Sequence, residues 1–590
     1  MASARARRMV ATWVLPIAFL VLATLYSVVV PPWETPDEPG HFRYVEFLRR
    51  TASLPVQDGQ IPAHQPPLYY ALAALAILPA DLSDTSGALR PNPRFVWAGN
   101  GGTEINAARH TTAETFPFRG HSLALHLARL VSVVLGAATV ALVVVTAREI
   151  FPEQGHYWLL AGAAAAFNTQ FIFLSGAINN DAMAALAGAG AIRATLHAWR
   201  GQARGRTWLT IGIWLAACFL AKTTALGILL ASTLVLLVSL GSCRTLSQAS
   251  ARCGAFAAPL IVVVGFWFGR NQVLYGEPTG STIYRSFWTQ NLATGPLAVD
   301  HLDDIVWTQF RSFWGLFGWM NLPAPGWYYA GLAVAALCAT IGVCDLLARP
   351  EAHTTGGRGT RAAIAIALLF VAAQEAFVLW LIGECGGSCH QGRYLFPAIL
   401  AVALLLGSGI GRVLERLNAR SRAVSIVFTC TLGVAALAMP FGLIGPAYSG
   451  PPEAKSTLLS VDRRPSVRIG EAFELAAYEI EVAPTRDRAT IRLFWRARQV
   501  PDLDYSAFLH LVDGTGRLVA QRDRAPGVDR DYPPTSWAVG DIVRDERVIE
   551  LPADFPTGGF HWRLGLYDWR TGVRLPVLDG SRRDFVELIP

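Results

Sequence analysis

Two adjacent carboxylates, Asp37 and Glu38, follow a proline and are trailed closely by His41 and Arg43. If "EPGHFRYVEFL" is helical, Asp37 stands near its N-cap, Pro39 lies in the first turn, and His41 shares a face with Val45. A carboxylate in that position can take a proton from an alcohol, bind a divalent metal with its neighbour, or merely cap the helix. Other polar residues interrupt apolar sequence further on. They are His64 and Gln65, then Asn179, Asn180 and Asp181, then Lys222, then Arg270 and Tyr275, and finally His390, Gln391, Arg393 and Tyr394. Lys222 is unusual here, because the only other lysine is Lys455, against 48 arginines. Cys385 and Cys389 flank "GGS" before His390; the ligands are too few for zinc, and a local disulfide is favoured over free thiols.

The elements that position these residues follow from composition. Of 590 residues, 52% are hydrophobic and 16% charged, with a mean hydropathy of +0.35. A soluble domain carries roughly 25% charged residues, so this is a membrane chain. An aromatic content of 11% excludes disorder and coiled coil, and the basic residues are not clustered as a nucleic-acid footprint requires. Eleven apolar segments read as spans: 9–30, 130–147, 158–174, 182–197, 208–220, 224–240, 255–268, 328–344, 362–382, 395–410 and 424–444. The first is a retained anchor rather than a signal peptide, since its apolar run is long and no small-residue cleavage pattern follows. With the N-terminus inside, the inner segments hold sixteen arginines against five acids, which sets the C-terminus outside. The polar residues above then fall mostly at the outer boundary, where charge is costly to desolvate and marks function.

The fold class expected is mainly α, a polytopic membrane protein of about eleven helices, with a C-terminal all-β sandwich-like domain. Residues 1–446 form the multipass part. Within it, 31–129 is a large first outer loop with two interfacial helices, and Trp33, Tyr69 and Tyr70 are expected at headgroup level. Residues 447–458 are a Pro/Gly/Ser linker, and 459–590 alternate apolar and polar residues between turns, as antiparallel strands do. Trp495, Trp537 and Trp562 read as core more than as sugar-stacking residues.

"TPDEPGHFRY", "HQPPLYYAL", "GAINNDAMAAL", "LAKTTAL", "GRNQVLYGEPTG" and "QGRYLFPAI", in that order, resemble the bacterial membrane glycosyltransferases of superfamily C. The likeness is greatest to the branch of protein O-mannosyltransferases and aminoarabinose transferases, and it covers most of residues 1–444. It implies an inverting transfer of a sugar from a polyprenyl-phosphate-linked donor to a cell-envelope glycan, lipid or protein, on the outer face of the bacterial inner membrane. The family's first-loop acid falls on Asp37, with Glu38 beside it, as the catalytic pair. Arg270, Arg393 and Lys222 become candidates to stabilise the departing phosphate. His41, Arg43, His64, Gln65, Asn180, Asp181, Tyr275, Gln391 and Tyr394 complete the substrate-binding set. No cofactor is certain, since some members hold a divalent metal near the first-loop acid and others do not. Residues alone also admit a scaffold or sensor with a sugar-binding β-domain, or a transporter of envelope precursors, although the near absence of ionisable groups within several spans opposes the last.

Overall fold

The computed structural model describes all residues except 1, 58, 93–94, 97–104, 203–204, 281, 283–301, 350–356, 386–388, 418–419, 449–457, 459–460, 486, 528–531, 538, 552–559 and 590. The chain divides into two compact units. One comprises residues 1–85, 95–107 and 120–447; the other comprises 86–94, 108–119 and 448–590. The long first loop is therefore shared between them.

The first unit is helical, and all eleven expected apolar segments lie on helices. Among the described residues, eight helices are long and apolar enough to cross a bilayer, or nine if one bent pair counts as a span, rather than eleven. The differences have local causes. Segment 158–174 is split into α5 (Gly155–Ala166) and α6 (Thr169–Ser175), bent by 50°. Asn168 starts the second piece, its side chain accepting a hydrogen bond from the Phe171 amide at 2.9 Å. Helix α7 (Asp181–His197) has 17 residues and is buried along nearly its whole length. It is enclosed by protein, so its Ala/Gly-rich sequence need not match a hydrocarbon slab. α8 (Gly205–Ala221) also has only 17 residues.

Other boundaries move outward. α4 (Gly120–Ile150) starts ten residues before the expected segment and carries Arg129 inside, fully buried. Segment 255–268 belongs to a 30-residue helical stretch, Leu246–Tyr275, in which Pro259 is followed by a π-helical turn, Leu260–Val264. Arg270 and Tyr275 are thus helical and not in a loop.

The helix α2 (Glu38–Thr51) and the short α3 (Leu68–Ala76) follow the first span, α1 (Ala2–Val29). They do not present aromatics to headgroups. Trp33, Tyr69 and Tyr70 are buried, with Tyr44 stacked on Tyr70 at 3.9 Å between ring centroids. Tyr69 also donates or accepts at Ser132 over 2.8 Å. Polar hydroxyls with protein partners make burial the favourable state for these rings.

Glycines set the closest helix contacts. A Cβ on Gly188 of α7 would lie 2.1 Å from the Pro397 carbonyl, and one on Gly342 would lie 1.9 Å from that of Gly409. Small residues let backbones touch where apolar burial alone gives no preference. The first contact holds the turn Gly392–Ala398 directly against α7.

The second unit holds two four-stranded antiparallel sheets. Their strand orders are β3-β4-β5-β8 and β10-β9-β6-β7, with β3 Val467–Ile469, β4 Phe473–Val482, β5 Arg488–Ala497, β6 Ser506–Asp513, β7 Leu518–Gln521, β8 Ile542–Glu550, β9 Phe560–Tyr567 and β10 Val586–Leu588. A two-stranded hairpin, β1 (Leu316–Phe317) with β2 (Leu322–Pro323), belongs to the helical unit. Inward residues of both sheets share one core, including Leu475, Leu493, Leu509, Leu564, Trp495, Trp537 and Trp562. All three tryptophans are buried, so none offers a stacking face to a sugar. The side chain of Cys385 lies outside the described residues, and with it the Cys385–Cys389 pairing.

Candidate active site

Asp37 occupies the N-cap position of α2, with Pro39 in the first turn. Its backbone is left-handed, φ 65°, and its side chain makes no capping hydrogen bond. The simple cap is therefore not its role. The carboxylate instead accepts a hydrogen bond from Arg393 Nη2 at its Oδ2, at 2.7 Å. Asp37 lies deep among charged groups yet keeps 47% of its side-chain surface accessible, so it faces open space. Burial pushes its carboxyl upward. The Arg393 guanidinium, with His41 and Lys222, more than offsets that and holds it below the ordinary aspartate value.

Arg393 leads to a second acid. Its Nη1 is 3.9 Å from Asp181 Oδ2, and Lys222 Nζ donates to Asp181 Oδ1 at 2.5 Å. Asp37, Arg393, Asp181 and Lys222 thus form an alternating row of charges, in which Asp37 is the accessible end and Asp181 is 1% exposed. The Tyr394 ring lies under both cations, 5.2 Å from Lys222 Nζ and 5.7 Å from the Arg393 guanidinium carbon. Burial pushes the Lys222 ammonium below its usual range, against the pull of Asp181.

Local sequence explains the convergence. α6 ends at its C-cap, Gly176, and Asn179 Oδ1 accepts the Asp181 amide at 2.7 Å, so Asp181 begins α7. Lys222 is the extended residue between α8 and the 3₁₀ turn Thr223–Ala225. Gln391 starts the turn that carries Arg393 and Tyr394. Gln374, fully buried inside an apolar helix, ties these last two pieces together, its amide donating to the carbonyls of Thr224 and Tyr394 at 2.8 Å each. The lone amide in segment 362–382 was the available signal for it.

A neutral polar wall adjoins the charges. His41 Nδ1 is 2.7 Å from the Tyr70 hydroxyl. His64 and Gln65 are neighbours at 3.1 Å, Gln65 Oε1 accepts from Asn180 at 3.2 Å, and Asn180 also donates to the Ala221 carbonyl at 2.9 Å. Burial lowers the His41 imidazole to about 4 and that of His64 to about 3, so both are neutral near pH 7.

The remaining candidates stand apart. Glu38 is turned away from Asp37 and is fully buried. It pairs with Arg129, a residue that reads in the sequence as the edge of a loop, and accepts from its Nε and Nη2 at 2.8 and 2.7 Å. Arg43 is exposed on α2. Arg270 donates to the Pro55 carbonyl at 2.7 Å and Tyr275 accepts the Gln57 amide at 3.1 Å, which sets both beside Tyr44 and not at Asp37. Asp37 and Glu38 do not share a coordination sphere, because each is engaged by a different guanidinium; the pair does not fit a metal ion. Among the described residues no group of three or more His, Cys, Asp or Glu is arranged to hold one.

No curated protein matches the chain. Among solved structures it is similar to ArnT from Cupriavidus metallidurans in the apo state, at 14% identity and TM-score 0.41, over 72% of this chain and 64% of that one. The match therefore spans less than two thirds of the apo ArnT chain. ArnT bound to undecaprenyl phosphate is 12% identical with TM-score 0.31, over 69% of this chain and 77% of that one. Residues 123–267, which include Asn180, Asp181 and Lys222, match the family model of dolichyl-phosphate-mannose-protein mannosyltransferases.

Proposed function

We propose that this chain is an inverting glycosyltransferase of the cell envelope that takes a sugar from a polyprenyl-phosphate-linked donor. The observation that carries the reading is an accessible carboxylate, Asp37, set 2.7 Å from a buried arginine that stands 3.9 Å from a second acid, Asp181, itself bonded to Lys222. The family model matched over residues 123–267 supports the reaction class. The acceptor hydroxyl loses its proton to Asp37 as its oxygen attacks the anomeric carbon. The bond from that carbon to the phosphate oxygen breaks, and its electron pair leaves with the phosphate. Arg393 and Lys222 stabilise the departing anion, since a guanidinium fork and an ammonium in a dry site act strongly on developing charge. His64, Gln65 and Asn180 supply hydrogen-bonding groups for sugar hydroxyls. The site is read as facing the outer side of the membrane, as the arginine distribution predicts.

The test is removal of the gene and complementation. Loss of the chain should deplete one envelope glycan and accumulate its polyprenyl-linked sugar. Wild type should restore the glycan, and Asp37→Asn, inserted to the same level, should not, with turnover lower by about 10²–10⁴-fold. Full complementation by Asp37→Asn would remove Asp37 from the mechanism.

A further inference from the structure

The resting contact between Asp37 and Arg393 conflicts with what both are asked to do. A general base needs its proton affinity, and a guanidinium at 2.7 Å lowers it. Arg393 is also poorly satisfied. An arginine has five N–H donors, yet among the described residues Nε and Nη1 of this one are buried without a hydrogen-bond partner, and Nη1 stands at 3.9 Å from an Asp181 oxygen that has none there either. The side chain of Arg393 is only 8% exposed, so bulk solvent offers these donors little.

The two partners differ in freedom. Arg393 sits on a turn clamped by backbone contacts: Pro397 against Gly188, and Gly392 where a Cβ would lie 2.3 Å from the Gln309 carbonyl. Asp37 is on the other side, accessible, on a left-handed backbone at the start of a helix. The backbone at Arg393 is therefore the fixed side of the pair, and separating the two groups takes a side-chain rotation.

We propose that Arg393 is a latch on Asp37 that the phosphate of the sugar donor, a phosphodiester, opens: the phosphate oxygens take over the guanidinium, and the carboxylate is released to act as base. This rests on the reading of Asp37 and Arg393 given above. It orders the reaction, because the base is switched on only when the phosphate-bearing donor is in place, and an acceptor alone meets a masked carboxylate. No covalent step is involved; one anion replaces another on Arg393. His41 and Lys222 also face Asp37, and Asp181 stands behind Arg393, so the freed carboxylate remains within a charged surround.

If phosphate and Asp37 compete for one guanidinium, linkage requires that removing the Asp37 charge tighten phosphate binding. The full-length protein in detergent is titrated with a long-chain polyprenyl monophosphate lacking sugar, and separately with inorganic phosphate, to separate headgroup from tail. Asp37→Asn should bind either phosphate about tenfold tighter than wild type. In an Arg393→Gln background, binding should be weak and Asp37→Asn should give no further gain; Arg393→Met, which keeps much of the bulk without the charge, serves if the glutamine variant fails to fold. Unchanged or weaker binding by Asp37→Asn overturns the latch. So does a gain that persists without Arg393, since that would be simple charge repulsion. A wild-type protein that binds neither phosphate instead refutes the donor site, and the reading beneath the latch with it.

Discussion

Glu38 and Arg129, 91 residues apart, form a fully buried two-point ion pair, Oε1 to Nε at 2.8 Å and Oε2 to Nη2 at 2.7 Å. The same two side chains satisfy backbone from three places. Arg129 donates to the carbonyls of Ser27, Val30 and Pro31, where α1 ends, while Glu38 accepts the amides of Trp33 and Ile178. The end of the first helix, the start of α2 and the link into α7 are joined at one knot. Asp37 and Asp181 are held at the two edges of it.

Breaking this knot is expected to cost stability before it costs chemistry. Glu38→Gln leaves a buried guanidinium without its counter-charge, a change worth about 3–5 kcal/mol. Thermal unfolding in detergent should show a marked loss for Glu38→Gln and for Arg129→Gln. Asp37→Asn, whose amide oxygen can still accept from Arg393 and which leaves Asp181 3.9 Å from the guanidinium, should lose less. Equal losses in both would mean that the adjacent acids share one role.

The pH dependence of the rate separates free protein from loaded protein. Asp37 must be ionised to act, and its depressed value keeps it so into acid; activity is lost only as pH falls through that value. The acid limb of kcat/KM, which reports the free protein, is expected below the ordinary aspartate range. In kcat, with phosphate on Arg393, the limb should move upward. Arg393→Gln, which removes the cation that lowers Asp37, should move the kcat/KM limb the same way. His41 and His64, at about 4 and about 3, are already neutral, so no limb is expected near the ordinary imidazole value of about 6.5.

Orientation is open to a direct measurement. A reporter active only outside the cytoplasm should work when fused after Pro590 and fail when fused near Arg204. The reverse pattern would turn the site toward the cytoplasm and away from an envelope acceptor.

The sequence made the members of the candidate site visible more readily than their arrangement. Asp37, Asp181, Lys222 and Arg393 were legible because each interrupts or borders an apolar run, and charge there needs a reason. That Asp37 and Glu38 diverge was not legible: Asp37 lies on a left-handed backbone just outside the helix that Glu38 begins, and only tertiary packing decides which of them meets solvent. Arg129 looked like the edge of a loop because its counter-charge lies 91 residues away. The β-sandwich was plain from alternation, since period two is a local signal. The span count was not, because α7 is shielded by neighbours and its length carries no information about bilayer thickness. Asn168, which breaks one segment in two, could have been read as a helix start.

The left-handed turn at Asp37 has one more consequence. Residue types at ease with a positive φ are few: glycine, asparagine and aspartate, with histidine behind them. Of these, only aspartate is an anion near neutral pH. Glutamate would bring the same charge at a backbone angle it tolerates less, with a longer reach toward Arg393. The backbone at position 37 therefore filters which acids are admissible there before any reaction selects among them.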